Sequence, residues 1–406
     1  MTQMQNLTLT SSAHPTKTRG LDWYCASILA YMIFYPLLRP LGTPVLLVVC
    51  MLAALTCIQG RLNPLGHRYL PFLFYAAVVL TLSLMRIMPQ SWTQHHDNFS
   101  AIRHFVPLLI LPFIFTTFRL FFLHNFDRLE KNAFSITLLL YGIHLLVSSV
   151  STSISDDGYG SIYTLANNTI TLWISLILLI CRKKTPSFIA IPLLACTFVL
   201  ASSSQTQLVA LILPLSLLVK RNGLYALIGI SIALTAFLLI APIYPYELYV
   251  IDDNSGVRAV MWRDVWRLLS DSNGLGVGFG TEYITNQFYA LTTANWGLEN
   301  YHEDFLYIGT HSTIYDMSLR LGIPGLFLFL VWLLPIVFSR RNIPTGSEHS
   351  MFWTAGCIFI IMNTVNVGIY SINFLFSSAI TLGFMQALRD RAALNYGSHY
   401  AHSRTS

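Results

Sequence analysis

Charged residues are scarce in this chain. Only 10% of its 406 residues are Asp, Glu, Lys or Arg, whereas 54% are hydrophobic. Soluble domains carry about 25% charged residues, so this composition excludes an ordinary soluble protein. The net charge of +6 does not indicate a nucleic-acid partner, because the basic residues are confined to short loops. The sequence therefore predicts an all-α polytopic membrane protein.

The long polar loops lack cysteine, so we expect no disulfides. Residues 1–20 are polar and contain no apolar core of a signal peptide. The chain also has no internal repeat and no low-complexity tract. All six cysteines lie in or at the edge of apolar runs, at positions 25, 50, 57, 181, 196 and 357.

Long apolar runs dominate what is present. A transmembrane helix needs about 20 residues, and the runs predict twelve spans. We expect an N-terminal membrane region with nine spans (1–243), a large outer loop containing short helices (244–316), and a C-terminal membrane region with three spans and a tail (317–406). The predicted spans lie near residues 21–38, 41–59, 70–88, 101–122, 133–150, 161–181, 187–202, 205–219, 223–243, 317–338, 351–369 and 371–388.

The basic residues predict the orientation of these spans. If the N-terminus lies inside, the inner loops carry 17 of the 24 basic residues, and each inner loop has at least two. The outer side carries 13 of the 18 carboxylates and the large loop. We therefore expect both termini in the cytoplasm and the large loop in the periplasm.

The segment 309–325 is the strongest candidate for chemistry. Ser312 and Thr313 can cap a helix that begins there, and Thr313 with Asp316 has the spacing of a capping box. His311 would then lie beside a helix N-terminus, whose positive end favours anions and disfavours a protonated imidazole. A neutral histidine next to an anion site could act as a general base beside a phosphate. The alternative is a polar histidine at the membrane boundary. Further along, Gly322 and Gly325 predict close helix contact and Pro324 predicts a kink.

The large loop contains a second candidate segment. Residues 255–269 have apolar side chains and tryptophans at helical spacing, which predicts an amphipathic helix at the membrane surface. On that interpretation Arg263 and Arg267 contact lipid headgroups. Arg258 begins the helix after Ser255 and Gly256, and a guanidinium suits a diphosphate.

Weaker signals complete the set of candidate residues. The alternate glycines of 274–280, Gly276 and Gly278 among them, predict a tight turn close to another backbone or a lipid-linked substrate, without the context of a P-loop. Arg103 is costly in lipid, and we expect it to provide a second phosphate contact. A metal site is the chemical rival, but no set of acidic or histidine residues has convincing ligand spacing. The acidic and histidine candidates are Asp156, Asp157, Asp252, Asp253, His302, Glu303, Asp304, His95, His96 and Asp97.

Three of these segments resemble one family. His311-Ser312 followed by Gly322 and Gly325 is similar to the signature of bacterial O-antigen ligases, in which the histidine precedes Asn, Ser or Gln. The Arg258 helix and the glycine-rich turn also resemble segments of O-antigen ligases and polymerases, and the twelve-span layout agrees. The resemblance implies that Arg258 holds a lipid diphosphate and that His311 activates the acceptor hydroxyl. One departure is Gln205, which occupies the position where the family usually has an arginine.

The resemblance implies an inverting, metal-independent O-antigen ligase of the bacterial inner membrane. Its donor would be a glycan on undecaprenyl diphosphate, and its acceptor would be lipid A-core. Its site would face the periplasm, and membrane lipids would surround the protein. We expect no cofactor. The binding residues would be Arg258, Gln205, Arg103, Gly276, Gly278 and Ser312. An O-antigen polymerase and a protein O-oligosaccharyltransferase are alternatives within the same class, and a polysaccharide transporter is the alternative outside it.

Overall fold

Helices account for almost all regular structure in the described part of the chain. The computed structural model describes residues 21–27, 66–88, 96–154, 223–283, 309–338, 343–345, 347–364 and 372–403. Within these ranges there are nine helices and no strand, apart from one isolated antiparallel bridge between His96 and Thr281. The helices are α1 (21–27), α2 (Gly66–Leu84), α3 (Asn98–Ile154), α4 (Gly223–Ile240), α5 (Pro245–Ile251), α6 (Asp253–Asp271), α7 (Thr313–Phe338), α8 (Ser347–Thr364) and α9 (Ile372–Ser403).

These helices confirm the all-α class and are compatible with a membrane protein. Two of them are long and apolar enough to cross a bilayer, namely the Asn98–Asn132 part of α3 and the whole of α7. A third candidate is the pair α4 and α5, which bends by 115° at a short break. The count of twelve spans stays a prediction, because the expected spans at 41–59, 161–181, 187–202 and 205–219 lie outside the described residues.

Helix α3 differs from the sequence prediction. We expected a span at 101–122, an inner loop, and another span at 133–150, but one helix of 57 residues runs through all three. The chain has no glycine or proline between Pro112 and Gly142, so nothing in it stops the helix. Such a helix is about 86 Å long, whereas the hydrocarbon core is about 30 Å thick. The polar residues near its middle must therefore lie outside the hydrocarbon.

The main apolar core forms where α3 packs along α9. The rings of Phe122 and Phe384 meet edge-on with their centroids 5.1 Å apart. At Gly383, an added Cβ would lie 2.9 Å from the backbone of Phe115 and Arg119. The two helices can therefore approach this closely only because residue 383 lacks a side chain.

Charged residues of three helices, α3, α8 and α9, meet at one end of this core. Arg119 bonds Asp390 at 2.6 Å, and Arg391 lies 3.1 Å from Asp127 and 3.6 Å from Glu348. The sequence placed all five on the inner side. The start of α3, which the sequence placed outside, is about 33 Å away along the helix axis. The two predicted sides therefore separate in space, and which of them faces the cytoplasm stays a prediction.

Helix α6 contacts protein rather than lipid through its apolar stripe, so the predicted surface orientation of that stripe is wrong. Val257, Met261, Trp262, Val265 and Leu268 are buried in a second apolar cluster with residues of α4 and α7. Trp262 is fully buried, whereas Trp266, on another face, is 39% exposed. Helical periodicity is the same for a stripe that faces lipid and one that faces a neighbouring helix, so the sequence could not distinguish them.

Helix α7 breaks at Gly322, which has φ 66° and ψ −174°. Two hydrogen bonds between α7 and the glycine-rich turn (274–280) replace the helical ones there. The Val277 N–H donates to the Leu319 carbonyl, and the Ile323 N–H, which a continuous helix would direct to Leu319, donates to the Gly274 carbonyl, both at 2.8 Å. The predicted kink therefore exists, but the break lies two residues before Pro324.

The predicted close helix contact is found at Gly325. An added Cβ there would lie 3.1 Å from the Tyr75 ring of α2, and the Tyr75 hydroxyl donates to the Leu321 carbonyl at 3.0 Å. The lack of a side chain at Gly325 therefore lets α2 pack against the segment that carries the candidate site.

Candidate functional site

Arg258 is placed by the start of α6. The Asp252 carboxylate caps this helix by accepting from the Ser255 N–H at 2.9 Å. A Cβ at Gly256 would overlap the backbone of Tyr249, so glycine allows α5 to pack directly on α6. The sequence had indicated that Arg258 begins the helix. In the structure it lies in the second turn of α6, which begins at Asp253. Its side chain is partly buried.

His311 lies two residues before α7, as predicted, and has a φ of 56°. Helix α7 begins at Thr313, with the Ser312 carbonyl accepting the first helical bond from the Asp316 N–H at 2.9 Å. Ser312 is fully buried, and its hydroxyl has no hydrogen-bond partner among the described residues.

The predicted capping box between Thr313 and Asp316 does not form. The Thr313 hydroxyl bonds the Asn363 side chain at 3.0 Å, across to α8. The Asp316 carboxylate instead accepts from the Thr310 N–H at 2.8 Å. The sequence spacing fits a cap, but Thr313 is already inside the helix and its neighbour on α8 competes for the hydroxyl.

The fold brings the segments that carry Arg258 and His311 together, although 53 residues separate them in the sequence. Trp262, one turn after Arg258 on α6, donates to the carbonyl of Thr310, the residue before His311. Burial lowers the pKa of His311 to about 3, and the positive charge of Arg258 contributes to the same shift. Burial also lowers the pKa of Arg258, while the Asp252 carboxylate opposes that change. At neutral pH the pair is therefore a neutral imidazole beside a guanidinium cation. This arrangement can bind an anion and accept a proton next to it.

Arg320 faces protein, as expected for an arginine within a span. It is 2% exposed, and its guanidinium donates to the Thr281 carbonyl at 2.6 Å. Its Cζ lies 6.0 Å from the centre of the Tyr283 ring. Arg320 therefore links α7 to the segment that follows the glycine-rich turn, a role that the sequence did not reveal.

The other predicted binding residues have mixed placements. Gly276 and Gly278 are both buried at positive φ, and a Cβ at Gly276 would lie 2.7 Å from Leu319 and Gly322. At Gly278 it would overlap the Ser83 hydroxyl. Packing within the protein thus accounts for both glycines, and contact with a ligand stays a prediction.

The two remaining candidates are not joined to the site by the structure. Arg103 lies exposed in the second turn of α3, and its predicted phosphate contact stays a prediction. Gln205 lies outside the described residues.

Several residues that could have bound a metal have structural roles instead. Asp252 caps α6, and Asp97 caps α3 by accepting from the Ser100 N–H at 2.7 Å. One ring nitrogen of His96 bonds the Phe279 carbonyl at 3.1 Å. In the described ranges, no group of three or more His, Cys, Asp or Glu side chains is arranged to hold a metal ion. Asp156, Asp157, His95 and the run 302–304 lie outside those ranges.

Comparisons with protein-family models, with curated proteins and with solved structures find no match to this chain. The resemblance to O-antigen ligases therefore rests on the motifs described above.

Proposed function

We propose that this protein is a membrane glycosyltransferase of the O-antigen ligase type. It would transfer a glycan from undecaprenyl diphosphate to a sugar hydroxyl of lipid A-core at the periplasmic face of the bacterial inner membrane. The observation that carries the proposal is the packing of α6 on α7, which brings Arg258 and His311 close together at the start of an apolar helix long enough to span a bilayer. A lipid-linked diphosphate donor requires an anion site close to a membrane-spanning helix.

Each residue has a distinct part in the proposed transfer. The acceptor oxygen attacks the anomeric carbon while the bond to the diphosphate breaks, and the leaving diphosphate keeps the electron pair. Arg258 stabilises the charge that develops on that group, and His311 takes the proton of the acceptor hydroxyl. Direct attack from the opposite face inverts the anomeric centre. The diphosphate leaving group supplies the driving force, so the reaction needs no nucleotide.

The order of binding follows from the same electrostatics. With a pKa of about 3, the His311 imidazole is neutral in the empty site but is a weak base. A bound diphosphate offsets the Arg258 charge, so it raises the pKa of His311, although burial still holds that pKa below its ordinary value. We therefore infer that the donor binds first and makes His311 a stronger base for the acceptor.

Complementation of a deletion strain tests the function. A ligase deletion keeps the lipopolysaccharide core but loses all O-chains, whereas a polymerase deletion keeps one attached repeat. The wild-type gene restores the ladder of O-chains, and His311→Ala does not. The matched control is His124→Ala, because His124 is an exposed histidine near the middle of α3, and it restores the full ladder. A full ladder from His311→Ala at normal membrane levels would show that His311 is only an interfacial residue.

A further inference from the structure

Thr310 is held by three hydrogen bonds immediately before His311. Its carbonyl accepts from the Trp262 indole N–H at 2.8 Å, and its N–H donates to the Asp316 carboxylate at 2.8 Å. Its hydroxyl donates to the Ser312 carbonyl at 3.0 Å. Thr310 is also fully buried. Both backbone polar groups of this residue are therefore fixed by side chains of α6 and α7.

The donor from α6 is itself held rigidly. The indole ring of Trp262 is fully buried and stacks on the Tyr315 ring, with centroids 5.2 Å apart and planes 6° from parallel. Phe237 packs edge-on against it at 5.7 Å. The Tyr315 hydroxyl donates to the Leu238 carbonyl at 2.6 Å, which fixes the stacked partner. The indole N–H can therefore point in only one direction.

The position of Trp262 on its helix connects this clamp to the proposed site. Trp262 follows Arg258 by four residues, so the two side chains lie on the same face of α6, one turn apart. We propose that Trp262 and Asp316 are positioning residues, which hold Thr310 and thereby set His311 in register with Arg258. The effect of these residues on turnover rests on the proposed function, whereas their effect on the position of His311 does not.

The backbone of His311 explains why a clamp is needed. Residues with a Cβ rarely adopt a φ near 56°, and they keep it only where the surroundings impose it. The Thr310 bonds can impose it, because the bond from Trp262 to the Thr310 carbonyl fixes the peptide unit on the N-terminal side of His311. Without them, the loop can relax to an ordinary conformation, which would move the imidazole away from Arg258.

The charged groups around the site fit this interpretation. Arg258 on α6 is the charge that acts on His311. On α7, the Asp316 carboxylate is directed to the Thr310 N–H, and Arg320 donates to the Thr281 carbonyl. A loosened loop therefore exposes His311 and separates it from the Arg258 charge, and both changes favour its protonated form.

Chemical labelling of His311 tests the clamp without relying on catalysis. Trp262→Phe removes the indole N–H but keeps an aromatic ring against Tyr315. The matched control is Trp353→Phe, because Trp353 is also buried and its indole N–H also makes one hydrogen bond, to His349 at 3.0 Å. The full-length proteins are placed in nanodiscs and treated with diethylpyrocarbonate at pH 7, and mass spectrometry follows His311. We expect labelling about tenfold faster in Trp262→Phe, the factor that one buried hydrogen bond is worth, and unchanged in the control.

Transfer assays with undecaprenyl-diphosphate-linked repeat units and lipid A-core then separate positioning from folding. Trp262→Phe should lower kcat about tenfold and leave the KM for donor unchanged, because Arg258 remains in place. The acid limb of the pH–rate profile of Trp262→Phe should move to higher pH, because a loosened loop favours the protonated form of His311. Asp316→Asn keeps an oxygen for the Thr310 N–H and should retain more activity than Asp316→Ala, which has none.

The outcomes distinguish this inference from the proposed function. Equal His311 labelling in wild type and Trp262→Phe would overturn the clamp, whatever the transferase activity. Equal kcat and equal pH profiles in these two proteins would overturn it as well. Faster labelling in Trp262→Phe, together with a wild-type protein that transfers no glycan, would uphold the clamp and refute the ligase proposal.

Discussion

The low pKa of His311 gives the most exacting prediction about this protein. We expect Arg258→Gln, which removes the charge but keeps a polar side chain, to raise the pKa of His311. The difference between about 3 and the ordinary 6.5 corresponds to about 5 kcal/mol against the imidazolium. Burial is the larger cause and the Arg258 charge the smaller one. The substitution should therefore recover less than half of the difference and leave the pKa well below 6.5.

The pH dependence of diethylpyrocarbonate labelling measures this pKa, because the reagent attacks only the neutral imidazole. In wild type, the rate at His311 should hold from pH 7 down to about pH 4, one unit above the pKa. In Arg258→Gln the rate should already fall within that range. Arg267→Gln is the matched control, because Arg267 is exposed about two and a half turns further along the same helix, and it should leave the profile unchanged.

Undecaprenyl diphosphate should reproduce the effect of the substitution in wild type. A bound diphosphate offsets the Arg258 charge, so saturating lipid should shift the labelling midpoint to higher pH. In Arg258→Gln the same lipid concentration should cause a smaller shift, because the variant lacks the cation that binds the diphosphate. A wild-type midpoint near 6.5, or a midpoint that Arg258→Gln does not move, would refute the reasoning, because His311 would then not lie in the field of Arg258.

Four further predictions concern the site, the fold and the topology. Arg258→Ala should weaken donor binding and lower turnover by a factor of roughly 10²–10³. Arg258→Lys should recover only part of this loss, because an ammonium lacks the bidentate fork. Unchanged donor affinity in Arg258→Ala would count against this prediction. Gly256→Ala should destabilise the protein by about 1–3 kcal/mol through overpacking, whereas Gly229→Ala, with open space around it, should not lower the melting temperature. In a cysteine-free background, Asn254→Cys should react with an impermeant thiol reagent from the periplasm and Ser347→Cys should not; the reverse would overturn the topology. Glycan transfer should persist in excess chelator, and loss that a divalent ion restores would reveal a metal site.

The sequence alone predicted the helical class and the local chemistry of the candidate site. Composition and the length of the apolar runs are enough for the class, because only helices and closed barrels satisfy the backbone in lipid. The order of polar and apolar residues around His311 also predicted a helix N-terminus there, and α7 begins at Thr313. Likewise, the alternate glycines predicted a tight turn, and all four have positive φ.

The partners of these features were decided by the tertiary structure. The alternate glycines predicted that another backbone or a lipid-linked substrate lies close to the turn. Only the fold shows that the backbone of Gly322 lies there and that the turn forms hydrogen bonds with a broken helix. Asp316 has the right spacing for a cap on Thr313, yet its carboxylate bonds Thr310. In both cases, several partners satisfy the same local rule, and the choice among them depends on packing.

The pairing of Arg258 with His311 has the same origin. The sequence indicates an anion-binding arginine and a neutral histidine separately, and the resemblance assigns them to one reaction. Their proximity depends on α6 packing its apolar stripe against α7, where the sequence had predicted contact with lipid. Helical periodicity records which residues share a face but not what that face touches. For this reason the sequence could predict the two residues, whereas only the packing of two helices could bring them together.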